Sequence, residues 1–108
     1  MKKLKDSILK TLGKSHVIEM LEELKRAPLR FTDMERICRS KRTRSVRLRE
    51  LEHRNLIKAV PKLVGHKSYS FYEITPIGAG ALELGFKLLA LEKSATNNHE
   101  FKRAPIQR

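Results

Sequence analysis

At 108 residues the chain suits a single domain, and its 24 Lys and Arg against 12 Asp and Glu give a formal net charge of +12. That excess favours a polyanionic partner, with nucleic acid ahead of an anionic membrane surface. The chain has one cysteine, so it has no internal disulfide, and it has no apolar run near the ~20 residues of a membrane span. Its histidines lack metal-ligand spacing, and its glycines form no phosphate-binding loop. We therefore expect a cytoplasmic protein without enzymatic activity, metal or cofactor.

Two amphipathic helices are predicted at the start of the chain. The first covers residues 3–12, ends at Gly13 and repeats an apolar residue at every turn: Leu4, Ile8 and Leu12. The second begins at Ser15, a candidate N-cap, and stops at Ala27-Pro28. Its apolar face holds four residues: Val17, Ile18, Leu21 and Leu24.

The segment Leu29–Phe31 is a candidate short strand, and a third helix is predicted directly after it. In the sequence TDME, Thr32 is placed as the N-cap of a capping box, with Glu35 bonding back to it. The apolar stripe of this helix is narrow: Met34, Ile37 and Cys38. Cys38 is interpreted as a small core residue, with a reactive thiol as the less favoured alternative.

The segment after Ser40 predicts a fourth helix with two different sides. With Ser40 as N-cap, Leu48 and Leu51 point inward. The opposite arc carries five side chains: Arg42, Thr43, Val46, Arg49 and His53. Residues 36–54 hold eight basic side chains against two glutamates, which is half of the net charge of the chain. A face that only needed solvation would mix charges of both signs, and this one does not before Glu50, so an anion-binding surface is the favoured interpretation.

A β-hairpin is predicted over about residues 57–74, in two apolar and β-branched runs around the turn sequence GHKS. Pro61 in the first run cannot donate a ladder hydrogen bond, so it marks an edge strand or a bulge. The turn brings His66 and Lys67 to the tip of the hairpin. His66 is interpreted as a polar turn residue, with a pH sensor as the less favoured alternative.

Thr75 and Pro76 start a last helix as N-cap and first residue, and this helix is apolar on nearly every side up to Lys93. Two apolar stripes lie on different sides of it: Leu84, Leu88 and Leu91 on one, and Leu82, Phe86 and Leu89 on the other. A domain of this size covers only one stripe, so we expect the terminal helices to pair in a homodimer through six residues: Leu4, Ile8, Leu12, Leu84, Leu88 and Leu91. Gly78 and Gly85 would let the paired backbones approach closely. Burial of both stripes within the chain is the alternative.

The order of the predicted elements is helix, helix, short strand, helix, helix, hairpin, helix, which is typical of the winged helix-turn-helix. We therefore predict an α+β, mostly α fold: a winged helix-turn-helix with a β-hairpin wing and N- and C-terminal dimerisation helices. The domain is expected over residues 1–93. Residues 94–108 are basic and lack periodicity, so we expect them to form a disordered tail.

Three segments resemble the HxlR-type transcriptional regulators, a family related to the MarR and ArsR groups. LGKSHVIEMLEELKRAPLRFTDMERI is similar to the family's opening, in which Gly-Lys-Trp leads an apolar helix that is followed by Arg-Phe and a short helix. LRELEHRNLI is similar to its Leu-Arg-Glu-Leu-Glu run with a closing Gly-Leu, and YEITPIGAGAL to its Tyr-x-Leu-Thr-x-x-Gly segment. The sequence departs from the family where His16 replaces Trp, where Asn55 replaces Gly, and where the usual cysteine before Gly-Lys is absent, which argues against thiol-based sensing.

The residues and the resemblance together predict sequence-specific binding of double-stranded DNA by a homodimeric transcriptional regulator. The basic helix, about residues 41–54, would enter the major groove with its N-terminal end foremost. Arg42 and Arg49 are placed at guanine edges, and Thr43 and Val46 at thymine methyls. The other DNA-binding residues of this segment are placed at phosphates or at the helix start: Arg39, Ser40, Lys41, Arg44 and Ser45. The wing adds two residues on the backbone or in the minor groove: His66 and Lys67.

Arg44 fits this scheme least well, because it lies on the inward arc with Leu48, where related regulators carry an apolar residue. One interpretation is a helix that begins late, with Thr43 as its cap. The preferred one is that the stem of Arg44 packs while its guanidinium reaches a phosphate.

Two other functions remain open. The same basic surface would serve a non-specific nucleic-acid-binding protein, either a nucleoid or an RNA-binding protein. A winged-helix module that contacts other proteins is the third interpretation. No small-molecule effector follows from the sequence.

Overall fold

The computed structural model describes residues 7–106, and the side chains of residues 7–95. In this part of the chain the helices are, in order, α1 (Ile8–Leu12), α2 (Val17–Arg26), a 3₁₀ helix (Thr32–Met34), α3 (Lys41–His53) and α4 (Pro76–Ile106). Two strands, β1 (Ile57–Val64) and β2 (Lys67–Ile74), form one antiparallel hairpin between α3 and α4. This order confirms the predicted mostly helical winged helix-turn-helix with a hairpin wing.

The core lies where α2, α3, the base of the hairpin and the first turns of α4 meet. α2 contributes four buried residues at helical spacing: Val17, Met20, Leu21 and Leu24. Leu48 and Leu51 of α3 pack against the same cluster, as predicted. The other buried apolar residues complete it: Met34, Cys38, Leu56, Ile57, Ala81 and Leu82. Cys38 is a free, buried cysteine, which confirms its interpretation as a core residue. Burial of each large apolar side chain contributes about 1.5–3 kcal/mol and fixes the position of α3 relative to α2.

α2 begins one residue later than the sequence predicts. Its N-cap is His16, which lies in the left-handed region (φ 71°) and makes no side-chain capping hydrogen bond. The hydroxyl of Ser15, the predicted N-cap, instead accepts a hydrogen bond from Nη2 of Arg47 in α3 (3.1 Å). The interaction with another helix therefore takes the place of a local cap.

The predicted third helix is reduced to the 3₁₀ helix and a turn that follows it. The predicted capping box is absent, because the N-cap of the 3₁₀ helix is Phe31 and no side chain caps it. The carboxylate of Asp33 instead accepts a hydrogen bond from the backbone N–H of Arg30 (2.9 Å). Short 3₁₀ helices are common as connectors, and this one leads into the turn before α3.

The hairpin pairs all eight residues of each strand, from Ile57 opposite Ile74 to Val64 opposite Lys67. The loop is therefore two residues long, and Gly65 occupies its left-handed position (φ 67°), as two-residue hairpin turns require. Pro61 lies opposite Ser70 in the unbroken register of β1, which confirms an edge strand rather than a bulge. The candidate strand around Leu29 is a single antiparallel bridge to Tyr72, which ties the hairpin to the segment after α2.

The junction between the hairpin and α4 follows the prediction. The hydroxyl of Thr75 accepts a hydrogen bond from the N–H of Gly78 (2.9 Å) and donates one to the carbonyl of Asn55 (2.6 Å). Asn55 has a φ of 62°, the left-handed conformation in which Asn replaces Gly at the end of a helix. One threonine therefore caps α4 and links it to the end of α3.

Two glycines of α4 have a different role from the expected one. A Cβ atom on Gly78 would lie 2.0 Å from the carbonyl oxygen of Leu56, and one on Gly85 would lie 2.8 Å from Cδ1 of Ile18. The close approaches that these two glycines allow are thus within the chain, to Leu56 and to Ile18.

α4 continues to Ile106, beyond the end near residue 93 that the sequence predicts. Residues 94–104 contain neither Gly nor Pro to stop a helix, so the end of the predicted domain is not marked by a helix end. Within the described residues, no helix combines the length and the apolar character needed to cross a membrane.

Candidate nucleic-acid interface

α3 is held by its caps and by its buried side. The hydroxyl of Ser40 accepts a hydrogen bond from the N–H of Thr43 (3.1 Å), which confirms the predicted N-cap. Leu48 and Leu51 are buried in the core. The opposite side of α3 is exposed at its N-terminal end, and further along it Val46, Arg49 and His53 share a cleft with Thr11 and Lys14.

The outward side of α3 is basic at its N-terminal end. Three basic side chains around Ser40, those of Arg39, Lys41 and Arg42, are exposed and make no hydrogen bond or ion pair within the described residues. They lie beside the N-terminus of α3, where the helix dipole adds positive potential. This end of α3 therefore combines fixed positive charge with exposed donors.

The outward arc continues along α3 with the residues predicted to contact bases. Arg49 is exposed, and its Nη2 donates to the hydroxyl of Ser45 (3.4 Å), one turn earlier. Val46 between them is 37% exposed, an apolar side chain on an otherwise polar face. Thr43 is half-buried. The arc thus presents two arginines, Arg42 and Arg49, on either side of a small apolar surface.

Arg44 lies on the inward side and is 1% exposed. Its guanidinium donates to the carbonyls of Cys38 (2.9 Å), Arg39 (3.1 Å) and Phe31 (3.3 Å), and it stacks over the ring of Phe31 at 4.5 Å from the centroid. The helix starts at Lys41, so a late start capped by Thr43 is wrong. The expectation that the guanidinium reaches a phosphate is also wrong, since its donors are used inside the domain.

Arg47 is a second arginine of α3 whose role lies within the chain. Its guanidinium donates to the carbonyl and the hydroxyl of Ser15 (3.0 and 3.1 Å) and pairs with Glu50 (3.2 Å). Lys14 pairs with the same carboxylate from the loop between α1 and α2. The cluster has no signal in the sequence, because the contacts between its two segments join residues that are 32 and 36 positions apart. The cluster fastens the C-terminal half of α3 to the start of α2.

The wing is basic at its tip and tied to the domain at its stem. His66 and Lys67 are exposed at the tip, as predicted. At the stem, Arg30 lies over the ring of Tyr69 (5.2 Å), and Lys62 pairs with Glu73 across the strands (3.2 Å). The tip also carries an apolar residue that sequence analysis did not single out: Leu63, which is 76% exposed.

Arg30 also interacts with Asp33, at the start of the helix-turn-helix. Both carboxylate oxygens of Asp33 accept hydrogen bonds from the Arg30 guanidinium (3.4 Å each). The backbone N–H of Arg30, followed by this guanidinium, lowers the pKa of Asp33 below its ordinary value. The carboxylate therefore holds the guanidinium of Arg30, which also lies over the Tyr69 ring of the wing.

An apolar groove of about 640 Å³ runs between α1 and α4. It is lined by five of the six residues predicted to pair in a dimer: Ile8, Leu12, Leu84, Leu88 and Leu91. The sixth, Leu4, lies outside the described residues. Other apolar residues that were not predicted to take part also line the groove: Leu9, Ile77 and Ala81. The groove is open to solvent, and Leu84, Leu88 and Leu91 within it are 50–65% exposed.

Among the residues that the structure describes, no group of three or more His, Cys, Asp and Glu side chains is placed to hold a metal ion.

No family model matches the chain, and no curated protein matches it significantly. Among solved structures, it is similar to a protein assigned to the MarR family of transcriptional regulators from Enterococcus faecalis V583 (TM-score 0.73, 19% identity, covering 93% of this chain and 94% of that one). It is also similar to the reduced form of the transcriptional regulator YodB from B. subtilis (TM-score 0.69, 22% identity, 83% and 90% covered). A third similar structure is an ArsR-like transcriptional regulator from Rhodococcus sp. RHA1 (TM-score 0.56, 18% identity, 88% and 87% covered). The chain therefore has the winged-helix fold of MarR- and ArsR-type transcriptional regulators.

Proposed function

We propose that this protein is a homodimeric transcriptional regulator of the HxlR type that binds specific sequences of double-stranded DNA in the cytoplasm and has no enzymatic activity. The observation that carries the proposal is the outward side of α3. Its positive charge and its exposed Arg42 and Arg49 project from a helix that is fixed from behind by the core. A rigid basic helix with an exposed N-terminal end suits the major groove of DNA.

Each side chain of the outward arc has a proposed partner on DNA. Arg42 and Arg49 bind guanine edges, and Val46 with the methyl of Thr43 contacts thymine methyls. Arg39, Lys41 and Ser45 bind phosphates, while Ser40 supports them as the N-cap. Arg44 is removed from this set because its donors are used internally. His66 and Lys67 at the wing tip lie along the backbone or in the minor groove.

The groove between α1 and α4 is the proposed dimer contact. An exposed apolar surface of this kind on a small domain is typical of a protein interface, and a second copy offers the same apolar residues for a symmetric contact. Support comes from Leu84, Leu88 and Leu91, which line the groove on one side of α4 and are all exposed in the single chain.

The proposal is tested by selecting bound sequences from a random pool of double-stranded DNA with the full-length protein. We expect convergence on a motif of two half-sites. A flat profile with retained binding would contradict sequence-specific regulation and favour the alternative, a non-specific nucleic-acid-binding protein. Equal affinity for double-stranded RNA would point the same way, since a major-groove helix does not read A-form RNA.

A further inference from the structure

Arg44 is a buried cation whose partners, among the described residues, are neutral. Its three hydrogen bonds go to backbone carbonyls, and its flat face lies on the Phe31 ring. A buried charge normally requires a carboxylate partner or an equivalent set of hydrogen bonds. Here the carbonyl dipoles serve as that set, so the guanidinium and these carbonyls require one another.

The three carbonyls belong to the segment that connects α2 to α3. Phe31 stands directly before the 3₁₀ helix, and Cys38 and Arg39 stand directly before the N-cap Ser40. Residues 38–40 have no regular secondary structure. The N–H of Cys38 donates to the carbonyl of Met34, and Ser40 accepts hydrogen bonds from the N–H groups of Thr43 and Arg44. The hydrogen bonds of Arg44 thus hold the residue before the 3₁₀ helix and the residues before Ser40 against the first turn of α3.

We infer that Arg44 is a positioning residue for DNA recognition: it sets the direction in which Arg39, Lys41 and Arg42 leave the backbone without touching DNA itself. The inference rests on the proposed function. The distance along the chain is short, since Arg39 is itself one of the carbonyl partners and Lys41 lies two residues later. A shift of this backbone moves the exposed cations directly.

The chemistry of this position calls for arginine rather than lysine or an apolar residue. A guanidinium presents a rigid planar fork that bonds several acceptors at once, whereas an ammonium is a point donor on a flexible stem. Methionine fills a comparable volume but leaves the carbonyls of Phe31, Cys38 and Arg39 without their donors. Arg44→Lys should therefore retain part of the function that Arg44→Met loses.

The test compares Arg44→Met and Arg44→Lys with Arg36→Met, in which the replaced arginine is exposed and pairs with Glu23. Affinity is measured for the selected DNA site and for a scrambled duplex across a range of salt, at a temperature where circular dichroism shows each variant folded. We expect Arg44→Met to lose about tenfold or more in affinity for the selected site. Its loss of affinity for the scrambled duplex should be at least several times smaller, because misplaced contacts to bases lower specificity. Arg44→Lys should lie between Arg44→Met and the unmodified protein, and Arg36→Met should keep the specificity ratio.

Two results would overturn the inference. Equal losses on both duplexes, with a salt slope flatter by about two units per dimer, would mean that Arg44 binds phosphate directly. An unchanged specificity ratio in a variant of lowered stability would mean that Arg44 only stabilises the fold. If Arg44→Met does not fold, the specificity ratio of Arg44→Lys decides between the same outcomes.

Hydrogen exchange of the free protein separates this inference from the proposed function. If the unmodified protein prefers no DNA sequence, the proposed function fails, but Arg44 can still be examined without DNA. We expect Arg44→Lys to speed exchange at the amides of residues 38–44 while those of α2 and α4 keep their rates. Unchanged exchange at residues 38–44 would contradict positioning by Arg44.

Discussion

The arginines of α3 have different roles that follow from the direction in which each side chain points. Arg42 and Arg49 face outward and are exposed, Arg44 is enclosed by backbone carbonyls, and Arg47 is bound to Ser15 and Glu50. Net charge alone does not separate these roles. Only the outward pair has its donors available for the edges of bases.

Arg42→Ala and Arg49→Ala should each weaken binding to the preferred DNA site by roughly 1–3 kcal/mol, and each should relax the preference at one base position, because alanine cannot form the bidentate hydrogen bonds to guanine. Fluorescence anisotropy with a panel of singly substituted sites measures both effects. Arg36→Ala is the control, since Arg36 is exposed but lies before the helix and pairs with Glu23. If all three variants lose affinity equally on every site, the major-groove placement of α3 is wrong.

Gly78 gives a prediction about stability. A methyl group at this position would meet the Leu56 carbonyl at 2.0 Å and Cγ1 of Ile74 at 2.8 Å, so Gly78→Ala should lower the free energy of unfolding by about 1–3 kcal/mol. Gly80, two residues later in α4, has open space around it, so Gly80→Ala should raise the free energy of unfolding by about 0.5–1 kcal/mol. Thermal unfolding at equal protein concentration compares them. Equal midpoints for the two variants would contradict the close approach of α4 to Leu56.

Asp33 predicts a dependence of stability on pH. Arg30 lowers the pKa of Asp33 in the folded state. The charged carboxylate therefore stabilises the fold at pH values above its ordinary pKa of 3.8, and this stabilisation is lost as the pH falls through the folded pKa. Asp33→Asn should lower the free energy of unfolding at neutral pH by about 1 kcal/mol or less, because the pair is partly exposed. In urea unfolding below the folded pKa this difference should disappear. Glu35→Gln, in the same turn, is the control, and a pH dependence equal to that of Asp33→Asn would rule out the Arg30 pair as the cause.

At the scale of the elements, α3 and the hairpin were predictable because their signals are local. Ser40 is followed by an inward Leu48 and Leu51 at helical spacing, and Gly65 lies between two apolar runs. The third helix was predicted wrongly, because the sequence suggested a capping box between Thr32 and Glu35. In the structure the Asp33 carboxylate instead accepts a hydrogen bond from the backbone N–H of Arg30. The carbonyls that bind Arg44 belong to a turn whose path depends on tertiary packing. Its burial therefore had no local signal.

The wing should contribute affinity without sequence preference. Lys67 is exposed at the tip of the hairpin, where a phosphate is the available partner. Lys67→Ala should weaken binding to all sequences alike and flatten the salt slope by about one unit for each phosphate that the variant no longer neutralises. Lys62→Ala is the matched control, because Lys62 is on the same hairpin but pairs with Glu73. A change in base preference in Lys67→Ala, like that of Arg42→Ala, would contradict binding to the DNA backbone.

The whole molecule has a basic face on α3 and the wing tip and an apolar groove formed by α1 and α4. We expect two copies joined through the grooves to present two α3 helices to one DNA duplex. A dimer that neutralises roughly 6–10 phosphates has a slope of log affinity against log salt of about −5 to −9. The symmetry of the contact also sets the symmetry of the DNA site, since two half-sites read from one face lie roughly one helical turn, about 34 Å, apart.

Leu88 and Leu89 test the dimer with adjacent residues of equal exposure. Both are 50% exposed, but Leu88 lines the groove and Leu89 lies on another side of α4. Leu88→Glu should weaken the dimer strongly, because it buries an unpaired charge in an apolar contact, whereas Leu89→Glu should leave it intact. Sedimentation velocity across the micromolar range measures the association, and circular dichroism confirms that each variant is folded. Leu88→Glu should also bind a two-half-site DNA no more tightly than a single half-site. The groove is not the dimer contact if the unmodified chain is monomeric at high micromolar concentration, or if both variants dissociate alike. The expectation of a pseudo-palindromic DNA site would then have no basis.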